Sequence, residues 1–155
     1  MDNVPFPFTK PSKVNYMWED IKRRAKIYQI PIPKVPAPYP LKNFDDANLC
    51  ALAALEEGWF IQYLETTYRN WFIDGVPAGS KENIKLTCSE NNIDYQLFKE
   101  KSLNNKFLKL YQENTQVAYE FGVFGVPSFS VNDSLFWGDD RLNDIIQLKE
   151  ELKLV

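Results

Sequence analysis

The sequence contains no histidine, and this absence excludes more chemistry than any other feature of its composition. Without imidazole there can be no Ser-His or Cys-His nucleophile pair and no histidine-ligated metal. Cysteine is also scarce, because Cys50 and Cys88 stand far apart and form no C-x-x-C motif. Two such residues are too few for a disulfide scaffold or a thiolate zinc site, so we expect no metal centre. Both thiols are predicted to be buried as small apolar groups.

Long hydrophobic runs are missing as well. The longest, residues 49–55, is far shorter than the roughly 18 residues that a membrane-spanning helix needs. The first residues have neither a basic start nor an apolar stretch, so we expect a soluble cytoplasmic protein with no membrane partner. The net charge of −3, from 18 basic and 21 acidic residues, argues against a nucleic-acid partner. At 155 residues, a single domain is the default expectation.

Most of the chain carries the spacing of amphipathic helices. Apolar residues recur at steps of three and four after Ser12, which predicts a helix that Ser12 caps and that ends at Ile30, before a proline-rich strap. Asp45 or Asp46 is predicted to begin the next helix, and further helical segments continue to Gly122.

The next segment has a different residue pattern and reads GVFGVPSFSVNDSLFWGDDRL. β-Branched and aromatic residues flank Asn132 and Asp133, which predicts a hairpin of two short strands. Asp139 or Asp140 is predicted to cap a final helix. The fold class expected from these patterns is α/β, dominated by helices.

This segment also has the ingredients of a ligand site. If the Val126–Pro127 bond is cis, the backbone N–H and C=O of Val126 face outward, free to pair with a peptide-like ligand. The first N–H groups of the final helix suit a carboxylate, and Asp139 and Asp140 suit an ammonium group. The alternative is purely structural: the glycines end a helix, Pro127 begins a strand and the aspartates cap.

The motifs GVFGVPSF and LFWGDDRL resemble the C-terminal half of the 2-hydroxychromene-2-carboxylate isomerases. These are the glutathione-dependent branch of DsbA-like thioredoxin folds, which also holds the kappa-class glutathione transferases. Upstream, PSKVNYMWEDIKRRAKIYQIPI and YPLKNF are similar to the same family. The resemblance implies one domain over residues 1–155, with a helical insertion at about 12–115 and the C-terminal thioredoxin half at about 116–155.

The resemblance also implies a glutathione site and a neighbouring substrate pocket. Asn3 and Asn43 would border the pocket of a small aromatic carboxylate. The residues that would hold glutathione are Val126, Pro127, Trp137, Gly138, Asp139 and Asp140.

One part of the family pattern has no counterpart in this sequence. The family opens with a strand, a turn whose serine contacts the glutathione sulfur, a helix and a second strand, and no residue here matches that catalytic serine. We therefore assign no catalytic residue, and expect little or no isomerase activity from residues 1–155 alone. Loss of those strands would leave an exposed sheet edge next to Pro127, which favours pairing with another chain. Either the given sequence is a segment or a truncated form of a longer protein, or assembly with a second copy in a homodimer repairs the sheet.

The function that the resemblance implies is glutathione-dependent isomerisation of an intermediate in aromatic catabolism. The alternatives are a DsbA-like thiol oxidoreductase, a kappa-type glutathione transferase, and a non-catalytic remnant that keeps half of a ligand site. A dithiol oxidoreductase needs a C-x-x-C motif, which neither Cys50 nor Cys88 provides.

Overall fold

The computed structural model describes residues 9–151, which form seven α-helices, one 3-10 turn and one two-stranded antiparallel sheet. The chain divides into two compact units between Tyr111 and Gln112, which we call the helical unit (residues 9–111) and the hairpin unit (residues 112–151). In the described residues, no helix is both long and apolar enough to cross a membrane. The α-helices are α1 (Pro11–Ile27), α2 (Phe44–Glu57), α3 (Phe60–Phe72), α4 (Lys81–Glu90), α5 (Tyr95–Ser102), α6 (Asn105–Glu120) and α7 (Leu142–Glu151).

The helical unit has a continuous apolar core between α2, α3, α4 and α5. At its centre the rings of Trp59 and Phe98 lie 4.8 Å apart, and the Tyr63 hydroxyl donates a 2.9 Å hydrogen bond to the carbonyl of Ala47. Burying an aromatic side chain with its polar atom paired gains apolar contact without a desolvation penalty. The buried cluster comprises Cys50, Ala53, Ala54, Trp59, Tyr63, Ile84, Cys88, Phe98 and Phe107.

A buried polar network joins α3 to α4 beside this core. Asn83 is fully buried, and its side-chain amide donates to the carbonyls of Val76 (2.9 Å) and Thr67 (3.2 Å). The hydroxyl of Thr87 lies 3.3 Å from that of Thr67 and donates to the side-chain oxygen of Asn83. Within the described chain, every buried side-chain nitrogen or oxygen has a hydrogen-bond partner. The network therefore fixes the register of α4 on α3 without the cost of an unpaired polar atom.

Several predicted helix ends are shifted. α1 begins at Pro11 with Lys10 as its N-cap, so the predicted cap at Ser12 is wrong. Proline is favoured at this first position because the missing N–H has no helical partner there. α1 also ends at Ile27 instead of Ile30, because the backbone turns into the left-handed region at Gln29 (φ 55°).

α2 begins one residue before the predicted start. Its N-cap is Asn43, which places Asp45 and Asp46 in the first turn, where carboxylates favour the positive end of the helix dipole. Gly58 ends α2 in the left-handed conformation (φ 81°).

The hairpin unit contains the predicted strands. α6 ends at Glu120, and β1 (Ser128–Val131) then pairs with β2 (Ser134–Trp137) across the predicted turn. This confirms the hairpin. None of the residues 112–148 is buried, in contrast to the helical unit. The expected single domain over residues 1–155, with its boundary at about 115/116, stays a prediction.

The final helical segment starts at Asp139, but as a 3-10 turn (Asp139–Arg141) that becomes α-helical at Leu142. The residue in the capping position is Gly138, and no side chain caps the turn. The prediction that Asp139 or Asp140 caps this helix is therefore wrong. The physical reason is local pairing, because the Asp140 carboxylate accepts a 2.7 Å hydrogen bond from Arg141.

Candidate functional site

The entry to β1 presents an exposed backbone. Val126 is 80% exposed, and its peptide bond to Pro127 is cis. The carbonyl of Pro127 accepts a 3.0 Å hydrogen bond from the Gly138 N–H, which extends the β1–β2 ladder by one pair. This bond holds the start of the final helical segment beside Pro127, as the short hairpin requires.

Trp137 packs against the loop that leads to Val126. A Cβ on Gly125 would stand 2.7 Å from the indole nitrogen of Trp137, so glycine is needed for the two to lie this close. The indole ring also packs on Phe124 at 5.0 Å between ring centroids. On the other side of the loop, the Ser128 hydroxyl donates a 2.6 Å hydrogen bond to the carbonyl of Gly125. The loop is therefore held at both ends while Val126 remains open to solvent.

Charged groups surround the start of the final helical segment. Arg141 donates to Asp140 at 2.7 Å and to Asp144 at 2.9 Å, and these carboxylates raise the pKa of its guanidinium. Gly138 has a φ of 111°, and a Cβ there would collide with the Asp140 carboxylate. Residues 139–144 hold three aspartates and one arginine, so this corner carries a net charge of −2 that suits a cationic ligand group.

The structure brings together all six residues predicted to hold glutathione, because each belongs to the loop, the hairpin or the 3-10 turn of the hairpin unit. The two predicted substrate residues are placed differently. Asn43 is the exposed N-cap of α2 in the helical unit, and its carbonyl accepts from the N–H of Ala47. Asn3 lies outside the described residues.

Sequence reasoning missed the role of Arg141. The signal was present, because Arg141 and Asp144 are three residues apart in a helical segment, a spacing that brings opposite charges together. Phe124 was missed as well, because nothing in the sequence indicates that its ring meets Trp137.

The two cysteines are buried, as predicted. Burial raises the pKa of the Cys50 thiol and raises that of Cys88 to about 12. A buried, protonated thiol is a poor nucleophile, so these two groups do not supply the reactive thiolate of a dithiol oxidoreductase.

The sequence matches the DSBA-like thioredoxin domain over residues 1–150. The chain belongs to this family. Its helix-dominated structure with one small antiparallel sheet is a DsbA-like thioredoxin fold, as expected from the sequence.

Curated relatives within this family share one name. The chain is 27% identical over 130 residues to a 2-hydroxychromene-2-carboxylate isomerase of Pseudomonas sp. (strain C18), covering 84% of this chain and 59% of the relative. Two further relatives carry the same name, and each match also covers 84% of this chain. The protein of Pseudomonas putida is 28% identical, with 62% of its length covered, and that of Sphingobium xenophagum is 27% identical, with 65% covered. The chain thus spans about three fifths of the curated relatives it matches.

A solved structure agrees with these relatives. The selenomethionine form of a 2-hydroxychromene-2-carboxylate isomerase superposes with a TM-score of 0.78 at 26% identity, over 92% of this chain and 68% of that one. The resemblance stated from the sequence motifs is confirmed.

Proposed function

We propose that the hairpin unit is the glutathione-binding half of an isomerase that acts on hydroxychromene-type aromatic carboxylates in aromatic catabolism. The observation that carries this proposal is the bond between Gly138 and Pro127, which places the exposed Val126 backbone beside the acidic corner at 139–144. The shared name of the relatives supports the reaction class.

The residues present fit a γ-glutamyl tripeptide. Its peptide groups need an exposed backbone donor and acceptor, which Val126 offers. Its ammonium group needs carboxylates, and Asp139 and Asp140 lie on the 3-10 turn that follows Gly138. We assign its γ-glutamyl carboxylate to the first N–H groups of that turn, which follow the N-cap residue Gly138.

Glutathione supplies a thiol that acts as a nucleophile when it is held as the thiolate. The residues of this chain bind glutathione and orient it. Val126 pairs with the cysteinyl part of the tripeptide, Trp137 covers the loop behind it, and Asp140 holds the far end.

Arg141 moderates the charge of Asp140. The Arg141 guanidinium forms ion pairs with both the Asp140 and the Asp144 carboxylates. An ammonium group that binds Asp140 therefore joins an existing cluster of charges. With Arg141 included, residues 139–144 keep a net charge of −2.

The proposal is tested by calorimetric titration of glutathione into the chain and into two matched variants. Asp140→Asn should weaken binding by about 1 to 3 kcal/mol, the range for a charge-assisted hydrogen bond. Asp133→Asn, which removes an exposed carboxylate in the hairpin turn, should leave the isotherm unchanged.

Identical isotherms for Asp140→Asn and the original chain would remove Asp140 from the site. No heat of binding up to about 10 mM glutathione, which corresponds to an affinity too weak for a specific site, would refute the glutathione proposal as a whole.

A further inference from the structure

The Asp140 carboxylate lies against the backbone of Gly138. A Cβ on Gly138 would collide with Oδ1 of Asp140, so this contact needs a residue without a side chain. The φ of 111° at Gly138 also favours glycine. The N–H of the same residue donates to the Pro127 carbonyl at 3.0 Å. Gly138 therefore brings Oδ1 of Asp140 close to the start of β1, where Val126 is exposed.

Arg141 holds the other oxygen of this carboxylate. Its Nη2 donates to Oδ2 of Asp140 at 2.7 Å, while its Nη1 donates to Oδ2 of Asp144 at 2.9 Å. Asp144 lies in the first turn of α7, so the guanidinium is attached to that helix as well as to the 3-10 turn. The guanidinium is planar and its donors have fixed directions. It therefore limits rotation of the Asp140 carboxylate and keeps Oδ1 directed towards Gly138.

The ion pairs of Arg141 contribute little to the stability of the fold. The side chains of Arg141, Asp140 and Asp144 are 49%, 53% and 51% exposed, and solvent weakens exposed pairs. What depends on arginine is the orientation of the carboxylate, because lysine would supply the same charge without a planar fork. Arg69 offers a comparison within the chain, since its side chain is also 49% exposed and pairs with Glu90.

We propose that Arg141 is a positioning residue for the ammonium group of glutathione. This inference rests on the proposed function, in which Asp140 binds that ammonium. A side chain that rotates freely loses conformational entropy when a ligand fixes it, whereas a side chain that is already held loses less. With Oδ2 held by Arg141, Asp140 meets the ammonium with Oδ1 already placed beside Gly138. Arg141 thereby increases the affinity without contacting the ligand.

The first test needs no ligand. Three-bond couplings between Hα and Hβ in NMR spectra report the χ1 rotamers of Asp140. We expect one dominant rotamer in the original chain and averaged couplings in Arg141→Lys, which keeps the positive charge and loses the planar fork. Averaged couplings in the original chain would overturn the inference, because the carboxylate would not be held. One dominant rotamer in both proteins would also overturn it, because Arg141 would not be the residue that holds Asp140.

The second test is a glutathione titration followed at the amide signal of Val126, which also quantifies weak binding. Arg141→Lys should bind glutathione about two- to fivefold more weakly than the original chain, and the control Arg69→Lys should match the original chain. Glutaryl-cysteinyl-glycine, which is glutathione without its amino group, should bind the original chain and Arg141→Lys equally. A purely structural role of Arg141 would change the affinity for both ligands, so this comparison isolates positioning.

The outcomes separate this inference from the proposed function. Equal glutathione affinity of Arg141→Lys and the original chain would overturn the positioning role and leave Asp140 in the site. A loss of the same size for the analogue would overturn it as well, because Arg141 would then act on another part of the ligand or on the fold. No binding of glutathione to the original chain would refute the proposed function, and with it the role of Arg141 towards the ligand.

Discussion

The helical unit and the hairpin unit use similar residues in opposite ways. In the helical unit, Trp59 and Phe98 pack against each other and are buried, with exposures of 9% and 2%. In the hairpin unit, Phe124 and Trp137 also pair, yet 46% and 47% of their surface stays exposed. Apolar burial is therefore concentrated where the helices enclose a core, whereas the proposed glutathione site lies in the unit without one.

Polar groups follow the same division. Asn83 and Thr87 are buried and paired in the helical unit, whereas the aspartates of the hairpin unit lie at the surface around Arg141. Buried amides and hydroxyls define one packing arrangement, whereas the Asp140 and Asp144 carboxylates form exposed ion pairs with Arg141.

The largest expected effect concerns turnover. The family resemblance implies a serine at the glutathione sulfur that no residue of this sequence matches, and loss of a donor to a developing anion costs about 10² to 10³ in rate. We expect the 155-residue chain to turn over 2-hydroxychromene-2-carboxylate, with glutathione present, at less than about one hundredth of the rate of the Pseudomonas putida relative. Absorbance assays at equal concentration measure the ratio, and comparable rates would mean that a group within these residues activates the sulfur.

The next effect is on stability. Phe98→Ala removes a ring enclosed by Trp59 and Tyr63 and should lower the free energy of unfolding by about 3 to 5 kcal/mol. Phe124→Ala removes an exposed ring of the hairpin unit and should cost less than about 1.5 kcal/mol. Urea denaturation followed by circular dichroism measures both, and equal costs would contradict the difference between the units.

Two glycines with nearly equal backbone angles sharpen the comparison. Gly79 (φ 79°) lies against the Asn43 carbonyl, so that a Cβ would collide with it, whereas Gly122 (φ 82°) has no atom within 4 Å of a Cβ position. Gly122→Ala should cost about 1 kcal/mol, for the left-handed conformation alone. Gly79→Ala should cost about 3 kcal/mol, because a steric clash is added. Thermal denaturation measures the melting temperature of each variant, and equal melting temperatures would contradict this prediction.

The smallest expected effect is a pH dependence confined to the helical unit. Burial raises the Cys88 pKa to about 12, so the folded state keeps the neutral thiol where the unfolded state ionises. The contribution of Cys88 to stability is therefore complete below about pH 8.5 and is lost as pH rises towards 12. Between pH 7 and 10 we expect a loss of about 1 to 2 kcal/mol, reduced in Cys88→Ala. Urea denaturation at both pH values measures the loss of unfolding free energy. Equal losses in the original chain and in Cys88→Ala would exclude Cys88 as the cause.

Local signals in the sequence predicted the elements that depend on local chemistry. Asn132 and Asp133 marked the turn of the hairpin, and the family motif marked the loop at Val126. Each of these is decided by the conformational preference of one or two residues, which composition reveals directly.

Features that depend on distant partners could not be read in the same way. The burial of Asn83 follows from carbonyls at Thr67 and Val76, up to 16 residues away, and a lone asparagine gives no sign of them. The capping role given to Asp140 failed because Arg141 competes for its carboxylate. Periodicity also placed the end of α1 too late, since it cannot detect a left-handed residue at Gln29.

The most direct test of the central claim, that the hairpin unit is a glutathione site, is a titration of the isotopically labelled chain with glutathione followed by amide NMR spectra. We expect the amides of Val126, Gly138 and Asp140 to shift together with one dissociation constant. Amides of the core cluster around Tyr63 should stay in place. Shifts in the helical unit alone, or no shift at Val126 at saturating glutathione, would contradict it.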